Sequence, residues 1–162
     1  MSGFARLDTI TSIAVGIATA PAAIRILCWF LAGVFFLSGV AKLRRPLLAA
    51  LALVDFRLIG QVHLKLGRLV GAAEIALALA LSGGALAVGP LSRISVLSAA
   101  GLLWFFALLI SASLLSGSRF PCYCFGGTTD PITARTLLRT IGLALTATLP
   151  IATGQWPQGS LQ

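Results

Sequence analysis

Two cysteines one residue apart, Cys122 and Cys124, lie in the stretch Phe120-Pro121-Cys122-Tyr123-Cys124-Phe125-Gly126-Gly127 between two strongly apolar segments. A disulfide between them closes too short a loop to restrict the unfolded chain, and its geometry is strained away from the relaxed bond. Strain raises the reduction potential, so the pair suits a disulfide that is made and broken, or two thiolates that hold a soft metal. Arg119, Arg135 and Arg139 surround it in sequence. Their charge, with the amino-end dipole of the helix that follows, favours the reactive thiolate, although the same arginines also suit lipid headgroups. Cys28 is far from the other two and defines no disulfide framework with them. It reads as a buried free thiol that packs as a small hydrophobe.

A second group with chemical potential is made of Ser38, Lys42 and Glu74. Glu74 is the single charge of an otherwise apolar segment, and an unpaired carboxylate in hydrocarbon costs several kcal/mol, on the order of 2.5–3.5 on insertion scales. Lys42 ends the preceding apolar segment, and Glu74 lies about six residues, roughly 9 Å, in from Arg68 at the helical rise. An ion pair across two antiparallel helices follows, with Glu74 either packing the bundle through Lys42 or Ser38 or exchanging a proton near the thiols. His63, the one histidine, falls in a basic stretch and reads as solvated and interfacial. The triple Trp104-Phe105-Phe106 reads as bundle core or lipid contact, with a quinone pocket as the less simple reading.

These residues need an apolar scaffold. Hydrophobic residues make up 58% of the 162-residue chain and charged residues 10%, against roughly half and a quarter in a soluble domain. The sequence predicts an integral membrane, all-α four-helix bundle with a lipid bilayer as its surroundings. Its net charge of +8 is carried by residues flanking the apolar runs, where lipid phosphates and the positive-inside bias account for them, so nucleic acid is excluded as a partner. Thr9 to Ala23, broken by Gly16 and Pro21, is expected to form a short interfacial helix, and residues 1–23 an N-terminal segment. Arg6 and Ala18-Thr19-Ala20 imitate a signal peptide, but apolar sequence resumes after Pro21, which favours mature protein.

The transmembrane domain is expected over residues 24–153, followed by a polar tail at 154–162. Ile26 to Ala41 carries no charge and becomes the first span, with the stems of Arg25 and Lys42 extending toward the headgroups. Arg44, Arg45 and Pro46 end it; Leu47 to Val54, then Asp55, Arg57, His63, Lys65 and Arg68 among Leu, Ile and Val, suit a helix on the membrane surface between spans 1 and 2. Leu69 to about Val88 forms the second span and Ile94 to Leu115 the third. Asp130-Pro131 provides a helix start, and Ile132 to Leu149 the fourth span, ending near Pro150.

Taken together, Ser38-Gly39-Val40-Ala41-Lys42-Leu43, the lone Glu74, Cys122-Tyr123-Cys124-Phe125-Gly126 and Thr136-Leu137-Leu138-Arg139 resemble the methylamine-utilisation MauE family, a relative of the DoxX-like small four-helix membrane proteins. The resemblance covers about Ile24 to Thr148, and Cys-x-Cys-Phe-Gly is its most specific part. It implies a membrane component of thiol and disulfide handling, in the founding case for maturing the disulfide-rich small subunit of periplasmic methylamine dehydrogenase. It also implies a thioredoxin-like partner and a disulfide-containing client protein. Carried over, Cys122 and Cys124 are the redox pair, and Glu74 and Lys42 the intramembrane polar pair. The chain departs from the family pattern at Arg119-Phe120-Pro121, where acidic or small residues are frequent, and at Thr140, where asparagine is common.

The expected function is a thiol-disulfide relay in the bacterial inner membrane, a thiol-disulfide oxidoreductase component with the dithiol as its redox group and no separate cofactor or metal. Two rivals belong to other classes. One is a copper(I) thiolate carrier, disfavoured by having Met1 as its single methionine; the other is a non-catalytic scaffold for a partner enzyme. Lys42, Arg44, Arg45, Arg57, Lys65, Arg68, Arg119, Arg135 and Arg139 share the cysteine side, against Arg6, Arg25 and Arg93. The charge bias puts the cysteine loop on the cytoplasmic face, although a periplasmic client would want it outside.

Overall fold

A computed structural model describes residues 21–56, 58, 60–86, 90–117 and 132–154. They are all-α: α1 (Pro21–Arg44), α2 (Pro46–Asp55), α3 (Leu64–Leu86), α4 (Pro90–Leu115) and α5 (Ala134–Ala152), with no strand among the described residues. Of the expected N-terminal interfacial helix only residues 21–23 are described, and they form the first turn of α1. The remainder of that segment, the cysteine loop and the tail from Gln155 lie outside the described residues.

Local chemistry sets the helix ends. Pro21, Pro46 and Pro90 each occupy a first helical position, where the missing N–H costs nothing. Arg45, squeezed before Pro46, leaves the helical region at φ −132° and ψ 66°, and this breaks α1 from α2. At the far end of α4, Gly117 adopts φ 68°, its N–H bonds to the Leu114 carbonyl, and the helix stops. Gly154 ends α5 in the same way at φ 65°.

Several boundaries differ from the sequence expectation. α3 starts at Leu64 rather than Leu69, so Lys65 and Arg68 are on its first turns and not in a surface helix. Lysine and arginine are good helix formers, and Gly67 between them is kept in the helix where the start of α2 packs against it. The helix between the first two spans exists, but only as α2, the apolar half of the stretch expected to form it. It folds back on α3: Ala49 and Ala50 are buried, and a side chain at Gly67 would run into the Pro46 carbonyl. α5 begins at Ala134 behind an extended Thr133, so the start falls after Asp130-Pro131. It also runs through Pro150 to Ala152; the proline sits in the last turn, fully buried, where little helix remains for it to disrupt.

Four long helices share one core. Ile24, Cys28, Leu31 and Phe35 of α1 meet Ala78 and Leu81 of α3, Val96, Ala99 and Leu103 of α4, and Leu143, Ala144 and Ala147 of α5. α1 and α3 run antiparallel: Gly39 faces Gly71 and Ile75, Leu43 faces Gly71, and Pro46 faces Gly67, so contacts descend α3 as they ascend α1. The outside is apolar, with Ile26 70%, Leu108 67% and Leu138 70% exposed. Two helical stretches, Ala22–Arg44 and Ser92–Leu115, are long and apolar enough to cross a membrane by length and composition.

Candidate functional site

The site grows from a close crossing of α1 and α3. A Cβ on Gly39 would lie 2.7 Å from the Gly71 carbonyl oxygen, and one on Gly71 would lie 3.0 Å from that of Gly39, so only glycine lets the two backbones approach this far. Three residues beyond each glycine, on the same helix face, stand Lys42 and Glu74. Close approach of the helices brings these two side chains together.

Lys42 donates from Nζ to both carboxylate oxygens of Glu74, at 2.6 Å to Oε1 and 2.7 Å to Oε2, and to Ser38 Oγ at 2.7 Å. These acceptors suit the three N–H donors of an ammonium group. Lys42 is 7% exposed and Glu74 2%, which removes most of the solvent screening that weakens surface pairs. The expected extension of the Lys42 stem toward the headgroups is therefore corrected. A helical side chain leans toward the amino end of its own helix, and here the lean carries Nζ back one turn onto Ser38 and inward to Glu74.

Phe106 of α4 completes the cluster, its ring centroid 5.9 Å from Lys42 Nζ, within reach of a cation–π attraction. The aromatic triple thus divides: Trp104 and Phe105 are exposed on the outside of α4, whereas Phe106 turns inward. Lys42, Glu74 and Ser38 line a pocket of about 30 Å³ together with Phe106 and Ile110 of α4 and Thr140 and Leu143 of α5. That volume has room for one or two water molecules beside polar groups that can hold them. No buried side-chain nitrogen or oxygen among the described residues lacks a hydrogen-bond partner.

The cavity lies near one end of the molecule. Ile110 is five residues before the end of α4, and Thr140 six residues after the start of α5, so at the helical rise the polar cluster sits roughly 8–9 Å below the ends that carry the cysteine connection. Arg135 and Arg139 are exposed on α5, Arg139 with interactions of its own. His63 is exposed where α3 begins, and its carbonyl accepts the first amides of that helix. Cys28 is 2% exposed in the core, and burial raises no demand it does not meet as a small apolar group. Arg119, Cys122 and Cys124 lie outside the described residues.

Sequence reasoning did not foresee Thr140 as a wall of the cavity, nor Gly71 as the counterpart of Gly39. The signal for the second was present: Gly39-x-x-Lys42 and Gly71-x-x-Glu74 repeat one spacing on two neighbouring helices. For Thr140, the recurrence of threonine at 133, 136 and 140 marks one helix face.

Apolar helices closed around one buried Lys–Glu–Ser cluster, with apolar side chains outside, define a small helical protein that fits a membrane. The chain belongs to the MauE family: the model of that family, described as methylamine utilisation protein MauE, matches residues 20–153. The match extends beyond Ile24 to Thr148 at both ends. No curated protein and no solved structure matches the chain.

Proposed function

We propose that this protein is an integral membrane thiol-disulfide relay in which Cys122 and Cys124 cycle between dithiol and disulfide, with the Lys42–Glu74 pair serving the protons. In the oxidative direction the two thiols lose two electrons and two protons as their S–S bond forms. The disulfide of a thioredoxin-like partner gains them and becomes a dithiol. The reverse passes reducing equivalents back, and a disulfide-containing client, methylamine dehydrogenase in the family's founding case, is the terminal substrate. The dithiol is the redox group, and the scheme uses neither quinone nor metal.

The observation that carries this reading is the position of the Lys42–Glu74–Ser38 cluster, roughly one and a half turns beneath the ends of α4 and α5 that the cysteine connection joins. Exchangeable protons and a cysteine pair at one end of one bundle are what a relay needs. The membrane reading takes α1, α3, α4 and α5 as four spans of 24, 23, 26 and 19 residues, about 29–39 Å at the helical rise, against a hydrocarbon core of about 30 Å. The excess of basic residues at the cysteine end supports a reading in which that end faces the cytoplasm across a bacterial inner membrane.

The test is exchange with a reduced or oxidised thioredoxin-like protein by the purified chain in detergent or nanodiscs. Cys122→Ser and Cys124→Ser each abolish exchange on this account; exchange that persists in both variants overturns it. Client maturation that survives both substitutions points instead to a non-catalytic scaffold.

A further inference from the structure

Outside the polar cluster, charge concentrates where α1, α2 and α3 meet. Arg44 closes α1, Arg45 is the break before α2, and Lys65 and Arg68 stand on the first turns of α3. All four are exposed. The backbone brings the two pairs together, because the place a Cβ on Gly67 would take, next to Arg68, is filled by the Pro46 carbonyl, next to Arg45. None of the four has an ion-pair partner among the described residues. Glu74 is spent on Lys42, and Asp55 ends α2, roughly 13–14 Å along the helix from Pro46.

Two helix starts add to this charge. α2 begins at Pro46 and α3 at Leu64, so the positive ends of both dipoles lie beside the four cations. The carboxyl end of α1 carries the opposite sign, but Arg45 N–H covers its Ala41 carbonyl, and Lys42 and Arg44 lie in its last turn. The same surface is apolar between its charges: Leu43, Leu47, Leu64 and Leu69 are all exposed there. A soluble anion would leave these leucines in water, whereas an amphiphile with a negative head covers both kinds of side chain.

We propose that the junction of α1, α2 and α3 is a binding site for an anionic phospholipid, its phosphate held by Arg45 and Arg68 with Arg44 and Lys65 beside them, and its acyl chains lying on the neighbouring leucines. A guanidinium suits a phosphate because its fork of donors meets two oxygens at once, and basic pockets between membrane helices take such headgroups. The site is separate from the relay and does not rest on it. A lipid bound here bridges the two elements that meet at Pro46 and Gly67, and so holds α2 in place, where Ala49, Ala52, Leu53 and Phe56 line a small apolar pocket that Lys42 also lines.

The experiment uses the purified full chain, stripped of lipid in a neutral detergent. Native mass spectrometry measures its binding of phosphatidylglycerol and, separately, of phosphatidylcholine. The parent protein is expected to prefer phosphatidylglycerol by about tenfold or more, and Arg45→Gln with Arg68→Gln to lose that preference. Arg25→Gln with Arg93→Gln, which removes the same charge from the opposite end, keeps it. Arg44→Gln with Lys65→Gln, also at exposed positions, carries the test if the first pair fails to fold. Equal binding of the two lipids by the parent overturns the site, as does a preference that survives in the junction variant. Equal losses in the variants at the two ends assign the preference to net charge and overturn it too. Inorganic phosphate that displaces phosphatidylglycerol at matched concentration marks a simple anion site and overturns the lipid assignment.

Discussion

At the scale of single residues, the question is whether Lys42 and Glu74 stabilise the protein or serve its chemistry. A buried pair is a weak source of net stability, because desolvation offsets most of the attraction, but stripping one partner strands the other. Glu74→Ala is therefore expected to destabilise the purified protein by about 3–5 kcal/mol, read from thermal or denaturant unfolding in detergent. The apolar double replacement Lys42→Met with Glu74→Leu recovers most of that loss and still lacks relay activity. Glu74→Gln keeps the shape and slows turnover without unfolding. If the double replacement instead retains full exchange, the pair belongs to packing alone. The pairing itself was legible in the sequence, since two charges near the facing ends of two apolar helices have few other partners. The inward turn of the Lys42 stem was not legible: a terminal lysine can lean either way, and the choice is made by where Glu74 and Ser38 stand.

At the scale of elements, the glycine crossing is what delivers these side chains. Gly39→Ala places a methyl 2.7 Å from the Gly71 carbonyl and from the Ile75 side chain, and overpacking of this kind costs about 1–3 kcal/mol. Gly142 on α5 is the control, because a methyl there meets nothing within 4 Å. Unfolding measurements are expected to show a loss in Gly39→Ala and none in Gly142→Ala; equal effects would remove the close crossing from the account. Helix existence was readable from apolar run length, whereas the ends were not. Lys65 and Arg68 read as part of a separate surface helix; they are exposed, but as residues of the first turns of α3, which their helix propensity extends. Asp130-Pro131 looked like a start, and the extended backbone at Thr133 moves the start beyond it.

At the scale of the whole molecule, the described charges are unevenly placed. Arg44, Arg45, Lys65, Arg68, Arg135 and Arg139 lie at the end that holds the polar cluster, against Arg25 and Arg93 toward the other. With the loop on the cytoplasmic face, an impermeant thiol reagent is expected to label Cys122 or Cys124 only after the membrane is opened. Labelling in intact cells after mild reduction would invert the topology. Which helix faces meet was the part hidden from sequence. Periodicity puts Thr136 and Thr140 on one face of α5, but only the packing of α5 beside α4 turns that face toward Glu74.

The central claim, that Cys122 and Cys124 form a working disulfide, is tested most directly by their redox state in native membranes, from alkylation of free thiols before and after reduction. The account predicts a disulfide that forms and opens reversibly between the two residues. Thiols that remain reduced under mild oxidant contradict it, and their protection on adding copper(I) would assign the pair to metal carriage instead.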